Sequence, residues 1–260
     1  MREIEMAYDV AGDGPAVVLL HGYPFNRSMW REQVKALSAD YKVVAPDLRG
    51  HGETEATKNA TMYEMARDVA ALLDKLNIER ASFCGLSMGG YVTFSFYSLF
   101  SSRVQSLILA DTRPQSDAEE TRRVRHEQAQ KISEEGMKAV AESLLQKVLT
   151  PETLRERPEI VSRVREMIQG TKPEGAVAAL RGMAERKDHS YLLERILAPS
   201  LVIVGSHDQI TPPEVAEKMR RDIPGSRLEI IENAGHLSNI ENPNQFNNAV
   251  KKFLDAQRWR

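Results

Sequence analysis

The chain has 260 residues, of which 42% are hydrophobic and 28% are charged, and its formal net charge is -2. A chain of this length can bury a large core, and its near-neutral charge provides no basic field for holding nucleic acid or an anionic membrane. A lone cysteine, Cys84, excludes an internal disulfide and a thiolate metal site, and its apolar surroundings predict a buried, unreactive thiol.

Short apolar runs alternate with longer amphipathic segments, beginning with the spaced apolar residues Ile4, Met6 and Tyr8, which predict an antiparallel edge strand. Runs that are apolar on both faces predict buried parallel strands, and the segments between them predict helices. The predicted fold class is therefore α/β with a mostly parallel sheet. The predicted strands are Ala16–Leu20, Tyr41–Ala45, Ala81–Gly85, Val104–Ala110, Ser200–Gly205 and Arg227–Ile231, and the predicted helices cover residues 29–39, 62–77, 88–100, 213–222 and 243–256.

Residues 113–189 interrupt this alternation with a densely charged segment that contains no clear strand. Apolar residues from Met137 to Val148 fall at helical spacing, and further helices are predicted over 116–134, 151–169 and 173–187, with prolines at starts or breaks. We therefore expect a helical cap at 113–189, inserted into a core domain built from residues 1–112 and 190–260.

No apolar segment is long enough to span a membrane, and the first residues show no signal-peptide core, so we expect a cytoplasmic protein that binds neither membrane nor nucleic acid.

The sequence CGLSMGG, residues 84–90, contains the pattern G-x-S-x-G with Ser87 at its centre. It lies between a predicted buried strand and a predicted helix, where ligand sites of parallel sheets form. Glycines on either side of Ser87 would prevent side-chain collisions across a tight turn, and the helix N-terminus would favour a developing negative charge. Ser87 is therefore a candidate nucleophile.

A serine nucleophile needs a base, and six histidines are available. The sequence favours His236, which follows the last predicted strand beside a glycine and precedes only a terminal helix. The other five lie in loops or charged segments, and two of them are expected to be exposed, namely His126 and His189.

An acid must fix the tautomer of that histidine. Asp208 and Asp111 each follow a predicted strand, and we favour Asp208. Asp47 is a third candidate, but a structural role is expected for it, either as a pair with Arg49 or as an acceptor for backbone N–H groups.

Five motifs in this order resemble the α/β-hydrolase family along nearly the whole chain. They are HGYP (21–24), PDLRGHGET (46–54), GLSMGG (85–90), LVIVGSHDQITPP (201–213) and NAGHLSNIENP (233–243). The chain order of Ser87, Asp208 and His236 is also the order of that family's catalytic triad. Within the family, the sequence is most similar to small cofactor-free esterases related to 3-oxoadipate enol-lactonases and arylesterases.

This resemblance implies hydrolysis of a small-molecule carboxylic ester, with an oxyanion hole made by the backbone N–H groups of Tyr23 and Met88 and with no metal or organic cofactor. Ser87 argues against relatives that carry Asp at this position, the haloalkane dehalogenases and epoxide hydrolases. Enol-lactonases, carbon–carbon bond hydrolases and ligand receptors that retain the triad stay open. The cap would set substrate size, which favours short-chain or aryl esters, and three methionines are candidates to contact the substrate: Met137, Met167 and Met183.

Overall fold

A seven-stranded sheet forms the centre of the protein in a computed structural model that describes residues 4–257. Six of its seven strands are predicted runs, and each begins and ends within one residue of the predicted bounds. In chain order the strands are β1 (Tyr8–Ala11), β2 (Ala16–Leu20), β3 (Lys42–Pro46), β4 (Ala81–Leu86), β5 (Val104–Ala110), β6 (Ser200–Gly205) and β7 (Arg227–Ile231).

The strand order in space is β1-β3-β2-β4-β5-β6-β7. All neighbouring pairs are parallel except β1 with β3, where Tyr8 lies opposite Pro46. Every residue of β2, β4 and β6 is buried, whereas the middle of β1 is exposed, as expected for an edge strand. The predicted α/β class, the mostly parallel sheet and the antiparallel edge strand are confirmed.

Helices flank this sheet and connect its parallel strands. The helices outside the β5–β6 connection are α1 (Arg31–Leu37), α2 (Met62–Lys75), α3 (Met88–Phe100), α9 (Pro213–Asp222), α10 (Ser238–Glu241) and α11 (Pro243–Asp255). Helices α1 and α11 pack against each other, as do α2 and α3, and a capping box formed by Thr61 and Glu64 begins α2. Short 3₁₀ helices lie at Arg27–Trp30, Ser101–Arg103 and Ser190–Arg195.

The connection between β5 and β6 folds into five further helices rather than a loop. They are α4 (Glu119–Glu135), α5 (Lys138–Val148), α6 (Pro151–Glu156), α7 (Pro158–Gly170) and α8 (Pro173–Ala184). Helix α4 packs against α8 and α5, and α5 packs against α7. We call α4–α8 the inserted helices.

The single helix predicted over 151–169 is wrong, because the structure divides it at Arg157 into α6 and α7. Arg157 has φ -126° and ψ 65°, outside the helical region. The residue before a proline is disfavoured in the α conformation, and Pro158 then begins α7 at a position where its missing N–H is not needed.

Candidate active site

Ser87 lies at the sharp turn between β4 and α3, on the carboxyl edge of the sheet. Its backbone has φ 53° and ψ -113°, a conformation that L-residues rarely adopt. The turn is held from both sides, since the Ser87 N–H donates to the Ala110 carbonyl at 3.0 Å and the Thr112 hydroxyl donates to the Ser87 carbonyl at 2.8 Å. The strained conformation is therefore fixed by the neighbouring strand β5.

The glycines around Ser87 are sterically required, as the sequence predicts. A Cβ atom on Gly89 would lie 2.0 Å from the Leu20 carbonyl oxygen, and one on Gly85 would lie 2.4 Å from the Gly89 carbonyl oxygen. These distances are shorter than any real Cβ contact, and backbone atoms cannot move aside cheaply. Cys84 under the turn is fully buried, and burial raises the pKa of its thiol, which matches the prediction of an unreactive residue.

The structure brings Ser87, His236 and Asp208 together from three loops that are far apart in the chain. The Ser87 hydroxyl Oγ lies 2.8 Å from His236 Nε2, and His236 Nδ1 lies 2.8 Å from Asp208 Oδ2. His236 and Asp208 are each 3% exposed, so the two groups interact in a largely water-free environment. With a proton on Nδ1, the ring donates to Asp208 and accepts the Ser87 hydroxyl at Nε2.

The loop after β6 orients the Asp208 carboxylate. Oδ1 accepts the backbone N–H groups of Ile210 and Thr211 at 2.8 and 3.0 Å, and Oδ2 accepts the Thr211 hydroxyl at 2.6 Å. Burial by itself would raise the pKa of Asp208, but the charge of His236 and these hydrogen bonds outweigh it and lower the pKa. Asp208 is therefore held as an anion beside the imidazole.

The pKa of His236 is shifted in the opposite direction from that of Asp208. Burial by itself would lower its pKa, but the Asp208 carboxylate outweighs burial, and the pKa of His236 is raised above its ordinary value. Arg113, whose charge acts in the opposite direction, lowers the pKa in part. A histidine in this position can accept a proton from Ser87 and be stabilised as an imidazolium.

Asp111, the alternative acid, lies at the end of β5 but does not contact the histidine in the way Asp208 does. Its Oδ1 accepts the Gly205 N–H at 2.8 Å, and its Oδ2 is hydrogen-bonded to the Ser238 hydroxyl. Burial, with Asp208 close by, holds its pKa well above the usual range. Asp111 thus ties the end of β6 to the start of α10, beside the histidine loop.

Two backbone N–H groups lie near the candidate nucleophile without a protein acceptor. Met88 is the first residue of α3 and directly follows Ser87, and Tyr23 lines the same cavity as Ser87. Within residues 4–257, neither backbone N–H donates to another protein group. Helix N-termini carry free N–H groups and a partial positive charge, so Met88 is suited to hold a developing oxyanion. The Tyr23–Pro24 peptide bond is cis.

A cavity of about 220 Å³ lies over Ser87 and His236. More than half of its lining residues come from α4, α5 and α8, and the remainder come from α3 and from loops that follow the strands. A larger cavity, about 820 Å³, lies between residues 56–59 and α8 and contains neither Ser87 nor His236. We assign the smaller cavity as the candidate site because, of these two cavities, only the smaller is lined by Ser87 and His236. Its lining residues are Tyr23, Ser87, Tyr91, Arg113, Thr121, Val124, Arg125, Gln128, Leu144, Lys147, Val148, Met183, Ile210 and His236.

Of the three methionines proposed to contact substrate, Met183 lines this cavity. Met137 and Met167 do not line it, so the prediction is wrong for them. Both are buried where the inserted helices pack on one another, Met137 at the start of α5 and Met167 on α7. Helical spacing identifies a buried stripe but not whether a helix or a cavity faces it.

Of the five remaining histidines, His21, His51 and His189 are buried, and the other two are exposed. His189, expected on the surface, is only 3% exposed: its Nε2 is hydrogen-bonded to the Tyr63 hydroxyl at 3.1 Å, and its ring stacks on Phe94. The expectation is therefore wrong, because the end of the insertion folds back onto α2 and α3. His126 and His207 are exposed, and His21 is a satisfied core residue that accepts the Leu48 N–H at Nε2.

Asp47 is structural, as expected: its alternative role as an acceptor for backbone N–H groups is confirmed, and the pair with Arg49 does not form. It pairs with Arg27, and it accepts the backbone N–H groups of Arg27 and Glu53 at 2.7 and 2.9 Å. Arg49 instead pairs with Asp68 on α2, at 2.7 Å. Proximity in sequence favoured Arg49, but the turn after β3 sends that side chain towards the helix.

Glu241 is a buried residue that no sequence pattern selects. Its carboxylate accepts the Thr150 N–H and hydroxyl, both at 2.9 Å, and the Gly235 N–H at 2.7 Å. It therefore joins the histidine loop to the junction of α5 and α6. The contact spans 91 residues of chain, and no local pattern signals it.

Among the described residues, no group of three or more His, Cys, Asp or Glu side chains is arranged to hold a metal ion. No helix in this part of the chain is both long and apolar enough to cross a membrane.

Comparison with known protein families finds a match between residues 15–243 and the model of the alpha/beta hydrolase fold family. Among curated proteins, 3-oxoadipate enol-lactonase 2 of Acinetobacter baylyi is 32% identical over 256 residues, which cover 97% of this chain and 94% of the relative.

The solved structures that match this chain include an esterase and an enol-lactonase. A thermophilic esterase from Thermogutta terrifontis, solved with malate bound, matches with a TM-score of 0.95 and 40% identity, covering 97% of this chain and 93% of that one. The enol-lactonase from Burkholderia xenovorans matches with a TM-score of 0.91 and 32% identity, covering 97% of each chain. The resemblance read from the five sequence motifs is confirmed at the level of family and fold.

Proposed function

The chain belongs to the alpha/beta hydrolase fold family, and from that premise we propose that it is a serine carboxylesterase that cleaves small carboxylic esters through an acyl-enzyme on Ser87. The relatives make it a hydrolase that acts on small molecules. The observation that carries the finer proposal is the pair of 2.8 Å contacts that link Ser87 to His236 and His236 to Asp208.

In the proposed first half-reaction, Ser87 Oγ attacks the ester carbonyl while His236 Nε2 takes the hydroxyl proton. Asp208 keeps the other ring proton on Nδ1 and stabilises the imidazolium that forms. The negative charge on the former carbonyl oxygen is held by the N–H groups of Met88 and Tyr23, and each such donor is worth about 2.7–4 kcal/mol in related sites. His236 then returns the proton to the leaving alcohol as the C–O bond breaks.

In the second half-reaction, water replaces the alcohol. His236 takes a proton from the water as it attacks the acyl carbon, and the same N–H groups hold the second oxyanion. Collapse of this intermediate releases the carboxylic acid and returns the proton to Ser87. The overall change is one ester and one water converted to an acid and an alcohol, and no step needs a redox partner.

Enol-lactone hydrolysis is the second candidate, and the identity to enol-lactonases favours it. A lactone is a cyclic ester, so the same steps open the ring, and the leaving oxygen stays attached to the acyl group. The cavity of about 220 Å³ favours short-chain or aryl esters and small lactones for either reaction. We propose that the segment 113–189 acts as the cap that sets this limit.

The experiment is hydrolysis of p-nitrophenyl acetate, butyrate and octanoate and of a small enol-lactone by the wild type, Ser87→Ala and Ser98→Ala. Ser98 lies on α3 and its hydroxyl bonds to the Ser95 carbonyl, so its variant controls for loss of a serine on the same helix. Ser87→Ala should reduce kcat/KM by roughly 10⁴-fold or more, and Ser98→Ala should retain activity.

A fluorophosphonate probe should label Ser87 alone. Labelling of another serine would refute the assignment of the nucleophile. Octanoate turned over as fast as acetate would refute the size limit. Wild-type protein that binds ligands but releases no product over many hours would support a receptor instead of an enzyme, and faster cleavage of carbon–carbon bonds than of esters would place it among that class of hydrolases.

A further inference from the structure

The lining of the cavity has an unbalanced positive charge. Arg113 and Arg125 both line the cavity, and Lys147 on α5 adds a third cation. Among the described residues, the lining includes no Asp or Glu. Ester hydrolysis by itself requires none of these cations, since the oxyanion is held by backbone N–H groups under the proposed function.

The arginines belong to a group with too little counter-charge, in which Arg186 is buried and Arg113 and Arg125 are half-buried. Asp117, which is fully buried at its side chain, pairs with Arg125 at 2.5 Å, with Arg186 at 2.7 Å and with Arg113 at 3.7 Å. We call these four residues the arginine cluster. None of the three guanidinium groups pairs with a second carboxylate anywhere in residues 4–257, so three positive charges share one negative charge.

Arg186 is the member whose position has a structural explanation. It donates to the Gln115 carbonyl at 3.1 and 2.9 Å and to the Met183 carbonyl at 2.9 Å, and its guanidinium lies 4.1 Å from the centre of the Tyr91 ring. Arg186 therefore fixes Asp117 and α8 in place. The two arginines that line the cavity are less well satisfied.

Arg113 and Arg125 retain unused hydrogen-bonding capacity. The Arg113 Nε atom is buried and has no acceptor in the described residues. Arg125 Nη1 reaches only the thioether sulfur of Met183, at 3.6 Å, and a thioether is a weak acceptor. The Tyr23 hydroxyl, in the same cavity, is also buried without a partner. Unpaired buried donors of this strength are costly unless an anion satisfies them.

We infer that the cavity selects esters or lactones that carry a free carboxylate, bound by Arg113 and Arg125 with the Tyr23 hydroxyl as a further donor. Guanidinium groups match carboxylates in geometry and form charge-assisted hydrogen bonds with them. The bound carboxylate would supply the counter-charge that the arginine cluster lacks. This inference rests on the proposed function, because it identifies the substrate class of the same cavity.

Matched substrates test the inference directly. Monoethyl glutarate and its ω-carboxamide have the same shape and differ in charge, and acetoxyacetate and acetoxyacetamide provide the same contrast on the alcohol side of the ester. The wild type should favour the anion in at least one pair by roughly ten- to hundredfold in kcat/KM, mostly through KM, because charge-assisted hydrogen bonds are stronger than neutral ones. Equal rates within both pairs would overturn the inference.

Variants test whether the arginines cause the preference for the anionic substrate. Arg113→Gln and Arg125→Gln should each reduce the anion-to-amide ratio, and Arg113→Lys, which keeps the charge, should retain part of it. Arg123→Gln is the matched control, since Arg123 lies on α4 but pairs only with Glu120 and Glu127 at the surface. An anion preference that persists unchanged in both glutamine variants would refute these residues as its source.

A binding measurement separates this inference from the proposed function. Glutarate should raise the Tm of Ser87→Ala more than the uncharged diamide glutaramide does, and Arg113→Gln in that background should reduce the difference. Neutral esters hydrolysed without any anion preference would leave the esterase proposal intact and overturn the inference. Glutarate binding without turnover of any ester would support the carboxylate site and refute the esterase.

Discussion

The central sheet and the inserted helices contribute to the same cavity in physically different ways. The sheet places Ser87, Asp208 and His236 on turns at the ends of β4, β6 and β7, where backbone hydrogen bonds and steric limits fix them. The inserted helices contribute side chains from α4, α5 and α8, which project from regular helices rather than from strained turns. The proposed chemistry thus depends on backbone geometry, whereas the proposed selectivity depends on which side chains line the cavity.

Asp208→Asn tests the contribution of the sheet and has the largest expected effect on activity. We expect kcat to fall by about 10⁴-fold with the fold intact, because an amide no longer holds the histidine in the tautomer that accepts the serine proton. Activity on a neutral ester and the far-UV circular dichroism spectrum measure the two parts of this expectation.

Asp111→Asn is the matched control, with a much smaller expected loss. Asp111 bonds to Gly205 and Ser238 rather than to His236, and its raised pKa means that a neutral amide resembles it closely. If Asp111→Asn abolished turnover and Asp208→Asn did not, the acid would be misassigned.

A pair of glycine substitutions contrasts the two regions in stability. Gly89→Ala in the sheet's turn places Cβ 2.0 Å from the Leu20 carbonyl oxygen, so we expect a loss of about 3 kcal/mol or more in the free energy of unfolding. Gly170→Ala, at the end of α7, meets no atom within 4 Å and should be neutral or stabilise by about 0.4–1 kcal/mol. Urea unfolding measures both, and equal effects would contradict the proposed contrast.

The junction between the two regions is tested by Glu241→Gln. The amide retains one carbonyl oxygen in place of two carboxylate oxygens, so Thr150 or Gly235 loses its acceptor in a buried site. We expect a loss of about 1–3 kcal/mol in the free energy of unfolding. Glu142→Gln, which affects an exposed pair with Arg165, should change stability by less than about 0.5 kcal/mol. No difference between the two variants in thermal unfolding would show that the Glu241 link contributes little.

The smallest expected effect is electrostatic and concerns the pKa of His236. Under the proposed mechanism His236 must be neutral to accept a proton, so kcat/KM for a neutral ester should fall as pH drops through the raised pKa of His236. Arg113 lowers that pKa in part, so Arg113→Gln should move the acid limb to higher pH. Arg123→Gln should leave the limb in place, and a shift to lower pH in Arg113→Gln would contradict the assigned sign.

Sequence patterns predicted the sheet well because its inner strands are short runs that must be apolar on both faces to be buried. The same local physics located Ser87, since glycines with no room for a Cβ atom mark a tight turn. Local patterns were less reliable in the inserted helices, where Pro158 divided a predicted helix and where Met137 and Met167 turned out to pack between helices.

The sequence by itself determined the fold class, the order of the strands along the chain and the three residues proposed for catalysis, because strand burial and turn chemistry are encoded within a few neighbouring residues. Only the tertiary structure decided which side chains share the cavity. Arg113, Arg125 and Asp117 are ordinary members of a charged segment until folding buries them together, and the Glu241 contact joins residues 91 positions apart. Burial and pairing of charges depend on through-space distances, and no local sequence pattern records those distances.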